Sequence, residues 1–164
     1  MNIFALDANT TLAAQYHVDK HVVKMVTEYA QLLSSAHHVT GSSIRHKCMQ
    51  LAYENHPSAK WVRASVANYE WLFSLYSSLH DEFKHRYGKG HLSYLNYASI
   101  LVQTPKLPNR KLLPVFLAMP DHLKVDPPTD FAGSVERYRT YYREHKKHLH
   151  SWKNREQPEW LNAS

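Results

Sequence analysis

The chain has 164 residues and a formal net charge of +6, twenty Lys and Arg against fourteen Asp and Glu, which suits one domain able to bury its own core. Its single cysteine, Cys48, excludes an internal disulfide framework, and no apolar run reaches the ~18 residues that a membrane span needs. The first residues lack a basic-then-apolar leader pattern, so the chain reads as cytoplasmic and membrane-free, and its positive charge favours an anionic partner.

The glycines and prolines divide the chain into long helices. Six of the eight prolines lie between Pro105 and Pro128, whereas residues 10–104 contain only Pro57. A first helix is expected from Asn9 to Ala36, with Asn9, Thr10 and Thr11 as capping candidates. Leu12, Tyr16, Val23, Val26, Ala30 and Leu33 recur near helical spacing as its core face. A short helix is expected over Arg45–Tyr53. A second long helix runs from Ser58 to Arg86, with Trp61, Val62, Tyr69, Leu72, Phe73, Tyr76, Leu79 and Phe83 as its apolar stripe and Gly88 and Gly90 stopping it. A third helix covers His91–Gln103. The proline-rich stretch 104–133 reads as an irregular crossing segment, a last helix runs from Ser134 to Trp152, and residues 153–164 form an extended tail. No sustained alternation argues for a sheet. The expected fold is therefore all-α, a single helical domain over 1–164.

The other face of the first helix carries chemistry. His17, His21, Lys24, Glu28 and Gln31 fall on one line at about 100° per residue, with Lys20 beside it. The short segment Met1–Asp7 is apolar enough to pack back on this line and bring the chain's α-amine near it. An α-amine titrates at about 7.7–8.0, well below a lysine, so part of it is an unprotonated nucleophile at neutral pH, suited to an electrophilic carbon such as sugar C1′. A metal site is the alternative: the i, i+4 pair His17 and His21 can bind one ion, with further ligands from Asp7, Glu28 or His56, although the H-E-x-x-H protease pattern is absent.

Leu12-Ala13-Ala14-Gln15, followed by Lys20-His21-Val22-Val23-Lys24, resembles the first helix of the phage pyrimidine-dimer DNA glycosylase family, also called endonuclease V. In that helix Lys20 and Lys24 match two arginines and His21 takes the place of a glutamate. Tyr53-Glu54-Asn55-His56-Pro57 is similar to the Y-x-N-H-P segment of the family's bacterial members, and Arg86-Tyr87-Gly88 to the R-G-Y that closes its long helix. Tyr138-Arg139-Thr140-Tyr141-Tyr142, with Lys146, Lys147, Trp152 and Lys153, is similar to its aromatic-and-lysine C-terminal segment. The resemblance implies an all-helical enzyme on damaged double-stranded DNA. Its N-terminal amine attacks C1′ of the lesion nucleotide, expels the base and forms a Schiff base, after which β-elimination cuts the strand. No cofactor is implied, and a monomer is expected. Met1 or Asn2, according to whether Met1 is removed, would supply the amine. His21 and His56 would be the proton-handling groups. Because His21 stands where the family has a carboxylate, processing of a modified base on the same fold is the nearest variant.

Other residues suit a nucleic-acid surface. His17, Lys20 and Lys24 border the stripe, and two lysines one turn apart bind phosphates as point charges. Asn55, Lys60 and Arg63 lie at the start of the second long helix, whose amides favour anions. Arg110 and Lys111 sit between prolines, and Trp152 and Lys153 follow the tyrosines of the last helix, a mixture suited to backbone contact with stacking. A non-catalytic nucleic-acid-binding protein would use the same surface.

Overall fold

The computed structural model describes residues 1–163, and those residues are all-helical. Six α-helices follow one another: α1 Thr10–Tyr16, α2 Asp19–Val39, α3 Pro57–Val62, α4 Val66–Tyr87, α5 Leu92–Leu101 and α6 Phe131–His145. Short 3-10 turns occur at Arg45–Lys47, Asp121–Leu123, Lys147–Leu149 and Glu159–Asn162. α2 lies at the centre and packs on α3, α4 and α5, while α1 packs on α4. One continuous core runs from Ile3 through the buried faces of α2 and α4 to Tyr138 and Tyr142 of α6.

Both long helices expected from the sequence are broken. The first splits at His17 and Val18, whose ψ values of 132° and 155° are extended. No glycine or proline marks the break; tertiary bonds hold it. His17 Nδ1 lies 2.7 Å from the Ala13 carbonyl and Nε2 lies 2.8 Å from the Tyr29 hydroxyl, while the Asp19 amide donates to the Ser151 carbonyl at 2.9 Å. The break shifts the helical phase. His17 and His21 turn inward, and Leu12 and Val23, expected in the core, are exposed.

The second helix splits at Arg63–Ser65. Ser65 caps α4 by accepting the Asn68 amide at 3.0 Å. Asn68 is fully buried and bridges three segments: its Nδ2 donates to the Trp61 carbonyl and its Oδ1 accepts the Leu113 amide, at 2.7 and 2.9 Å. α4 ends at Gly88, whose φ of 70° is the left-handed conformation that a terminating glycine supplies. The helix expected over Arg45–Tyr53 is one 3-10 turn, the last helix begins at Phe131 and stops at His145, and the 104–133 segment crosses irregularly as expected.

The C-terminal tail is stapled by charge. Arg86, with a fully buried side chain, donates to Glu82 Oε1 at 2.8 Å, Asp19 Oδ1 at 3.0 Å and the Gln15 carbonyl at 2.9 Å. Arg155 grips the same Glu82 at 2.8 Å, and Asp19 accepts the Ser151 hydroxyl and the Lys153 amide at 2.6 and 2.9 Å. Every charge in this cluster is paired, which buried ionic groups require.

Candidate active site

The first seven residues form a non-helical plug rather than a loose end, with two successive three-residue turns in which the Ala5 and Leu6 amides donate to the Ile3 and Phe4 carbonyls at 3.0 Å. Ile3, Phe4, Ala5 and Leu6 are buried at 0–4% exposure. The plug is pinned at both ends. Asn2 Nδ2 donates to the Ala118 carbonyl at 2.9 Å, and its Oδ1 lies 2.7 Å from the Tyr138 hydroxyl. At the far end Asp7 pairs with Arg139 at 2.7 Å while Arg139 Nε donates to the Leu6 carbonyl at 2.9 Å. Asn2 thus serves as an anchor, and its side chain is committed to that task. Met1, one residue beyond it, stays partly exposed.

Beneath the plug, a chain of hydrogen bonds fixes His17. A carbonyl only accepts, so His17 Nδ1 carries the proton that bonds to Ala13 and Nε2 accepts from Tyr29, whose oxygen in turn receives the Phe4 amide at 3.2 Å. Burial pushes the His17 imidazole down to about 4. His21 lies under the Phe4 ring, stacked at 4.1 Å between centroids, with Nδ1 2.6 Å from the Tyr142 hydroxyl. Burial, followed by the nearby His17, Lys146 and Lys24, holds it at about 3.

These positions correct three expectations. His17 is closed off from solvent and cannot line a DNA surface. His21 sits under a phenyl ring, where a neutral imidazole packs as a core aromatic instead of sharing an open pocket with the amine. The pair also fails as a metal site, because both nitrogens of His17 are spent within the fold.

The chain's start and His56 lie along one segment: Asn2 bonds to Ala118, and Phe116, two residues earlier, meets His56. The Met1 ammonium and the Glu28 carboxylate are both within electrostatic reach of the His56 imidazole. His56 is held below its ordinary value by burial first and by that ammonium next, with Glu28 opposing. His56 is the N-cap of α3, its Nδ1 accepting the Ser58 amide at 3.0 Å. Neutral His56 therefore carries its proton on Nε2, which leaves that nitrogen as its free donor. The half-exposed Phe116 ring meets it edge-on at 6.5 Å. Glu28 pairs with Lys24 at 3.0 Å across one turn of α2. Of the three carboxylates in the first fifty residues, Asp7 and Asp19 are spent on arginines and Glu28 is not. From sequence Glu28 is a member of the polar line and a candidate metal ligand; its distinction from Asp7 and Asp19 is visible only once their partners are known.

The remaining expected contacts divide into free and committed groups. Lys20, Asn55, Lys60, Arg110 and Lys111 are exposed, and Lys24 is exposed while paired with Glu28. Arg63 donates to the Glu54 carbonyl at 2.7 Å and braces the turn before α3. The Trp152 indole N–H donates to the Tyr16 carbonyl at 3.0 Å and its ring packs on the core, so it is a tail anchor and not a free stacking platform. Lys153 is exposed, with its ammonium 5.3 Å from the Tyr87 ring centroid. Lys146, which the sequence placed only within a basic segment, lies over the Tyr141 ring at 4.9 Å, and its charge helps hold the His21 imidazole low.

No helix among the described residues is long and apolar enough to cross a membrane. No curated protein and no solved structure matches the chain. Residues 1–95 match the family model described as pyrimidine dimer DNA glycosylase, a stretch that contains Met1, Glu28 and His56 as well as the α2 segment and the turn before α3 on which the resemblance rests. With more than half of its length accounted for in this way, the chain belongs to the pyrimidine dimer DNA glycosylase family, whose substrate is DNA.

Proposed function

We propose that the chain excises a damaged pyrimidine from double-stranded DNA, with its α-amine as nucleophile and Glu28 and His56 as the groups beside it. The observation that carries this reading is that Asn2 bonds to Ala118 while His56 meets Phe116, two residues away on the same segment. The chain's start and His56 thus lie along one stretch of backbone, at the end of a plug held by Asn2 and Arg139, where the Met1 ammonium and the Glu28 carboxylate both act on the His56 imidazole.

The chemistry follows from those groups. The amine lone pair bonds to C1′ as the bond from C1′ to the base breaks, and an N–H proton passes to Glu28. The base departs with the bonding pair, its developing charge met by the His56 Nε2–H, and solvent protonates it. Ring opening moves the proton from Glu28 to O4′ and leaves a protonated imine between the first residue and C1′. The Glu28 carboxylate stabilises that cation and accepts the C2′ proton as the 3′-phosphate leaves. Lys20 and Lys24 supply phosphate contacts, and reaching C1′ requires extrusion of a nucleotide at a cost of a few kcal/mol, least for a damaged pair.

Single-turnover base release from a duplex containing a pyrimidine dimer tests the proposal. The intact chain releases base, and Glu28→Gln lowers the rate by about 10²–10⁴, the range for loss of a general acid–base group. Release unchanged in Glu28→Gln overturns the assignment. Release from a modified base and none from a dimer moves the substrate and leaves the machinery in place.

A further inference from the structure

We propose that His122, His145 and Glu144 form a site for one divalent first-row transition ion of the zinc class. None of its three residues is among those assigned to base release, and it joins the proline-rich crossing segment to the end of α6. The site does not depend on the glycosylase reading.

Three observations converge. His122 belongs to the turn Asp121–Leu123 and His145 is the last residue of α6, yet their Nε2 atoms face one another at 3.0 Å. One ring N–H donating to the other ring's lone pair satisfies that contact, and a shared cation between two lone pairs is the alternative. The Glu144 carboxylate approaches the same point, with Oε2 4.0 Å from His145 Nε2, and one ligand atom from each residue lies within 4.8 Å of the others. Finally, α6 runs fifteen residues from Phe131 and terminates at His145, so the partial negative charge of its last carbonyls favours a cation there.

The geometry needs little adjustment. Zinc–nitrogen bonds of about 2.0–2.1 Å at a tetrahedral angle separate two nitrogens by roughly 3.3–3.4 Å. Opening the observed contact by a few tenths of an ångström is a small rotation for the exposed His122 ring. Two imidazoles and one carboxylate are a borderline-soft N/O set, which suits zinc, cobalt or nickel better than magnesium or calcium. The fourth position is left to water. The neighbouring cations are occupied elsewhere: Lys124 pairs with Asp121 at 2.9 Å, and Lys146 lies 4.9 Å from the Tyr141 ring centroid. A bound ion would clamp the Pro120–Lys124 turn onto α6.

The test uses the untagged chain, stripped with chelator and titrated with Co²⁺ while the visible d–d absorption is followed. The expected result is one ion per chain with intense tetrahedral bands. His122→Ala and His145→Ala each weaken binding by about tenfold or more, the loss of one protein ligand out of three. His148→Ala, a change at an exposed histidine three residues beyond the site, leaves the titration as it was. Zn²⁺ raises the melting temperature of the unaltered chain and not of His122→Ala. Because His122 is exposed and His145 partly so, circular dichroism of the variants should match the parent, which separates ligand loss from misfolding. Absence of tetrahedral bands, or a titration indifferent to His122→Ala and His145→Ala, overturns the site. Base release is not part of either readout, so failure here and failure of the glycosylase assignment are separate results.

Discussion

Mild acid should unfold this protein through its buried histidines before its carboxylates titrate. His17 and His21 are neutral in the fold because burial holds them at about 4 and about 3, whereas an unfolded histidine titrates near about 6.5. Below that value the unfolded chain binds protons that the folded chain refuses. Their stabilising contribution is complete above about pH 6.5 and is lost as pH falls towards the folded values, at about 1.4 kcal/mol per pH unit for each imidazole. Between pH 7.5 and 5.0 the two together lose about 4 kcal/mol, a large part of the ~5–15 kcal/mol that holds a domain folded. Burial also lowers His37 and His80, and both act in the same direction. Asp19 and Glu82, held low by their hydrogen-bonding partners against the opposing effect of burial, add their loss only at more acid pH. Urea denaturation at the two pH values measures the difference, and His17→Asn should reduce it by nearly half relative to the parent. A loss below about 1 kcal/mol, or an NMR titration of His21 centred near its ordinary value, would refute the packing described for the plug.

Arg86→Ala leaves Glu82 with one cation and the Gln15 carbonyl without its donor; a cost of about 3–5 kcal/mol, or a melting temperature lower by roughly 6–20 °C in a chain of this length, is expected by calorimetry. His56→Ala removes the α3 cap and the site donor together, so it should cost about 1 kcal/mol of stability as well as activity. His56→Asn keeps a capping oxygen and should restore the stability in a denaturation series without restoring base release. Lys20→Ala combined with Lys24→Ala should reduce the salt dependence of duplex binding by about two phosphate contacts, read as the slope of log affinity against log salt.

The parts of the fold visible in the sequence are those with local causes. Asn9 caps α1, Gly88 closes α4 in the left-handed conformation, and the prolines from Pro105 to Pro128 keep the crossing segment irregular. The helix breaks have distant causes. Val18 has no local reason to leave the helix, and the bond from Asp19 to Ser151 that favours the break spans most of the chain. Once the break is missed, the phase of the polar line is wrong, and His17 and His21 appear on the surface when they belong to the core. Of the two side chains in the proposed site, His56 stands in a motif that the sequence singles out, whereas Glu28's distinction from Asp7 and Asp19 lies in arginines far along the sequence. The Trp152 anchor is similar: an aromatic among lysines reads as a stacking group until its indole N–H is seen bonded to Tyr16.

The central claim is that the first residue's amine is the nucleophile, and reductive trapping addresses it most directly. Borohydride is added while the chain turns over a duplex carrying a pyrimidine dimer, and the cross-linked peptide is sequenced by mass spectrometry. A covalent adduct on the first residue is the predicted result, and acetylation of that amine should abolish it. An adduct on a lysine, or base release that continues with no adduct and an acetylated amine, would contradict the account.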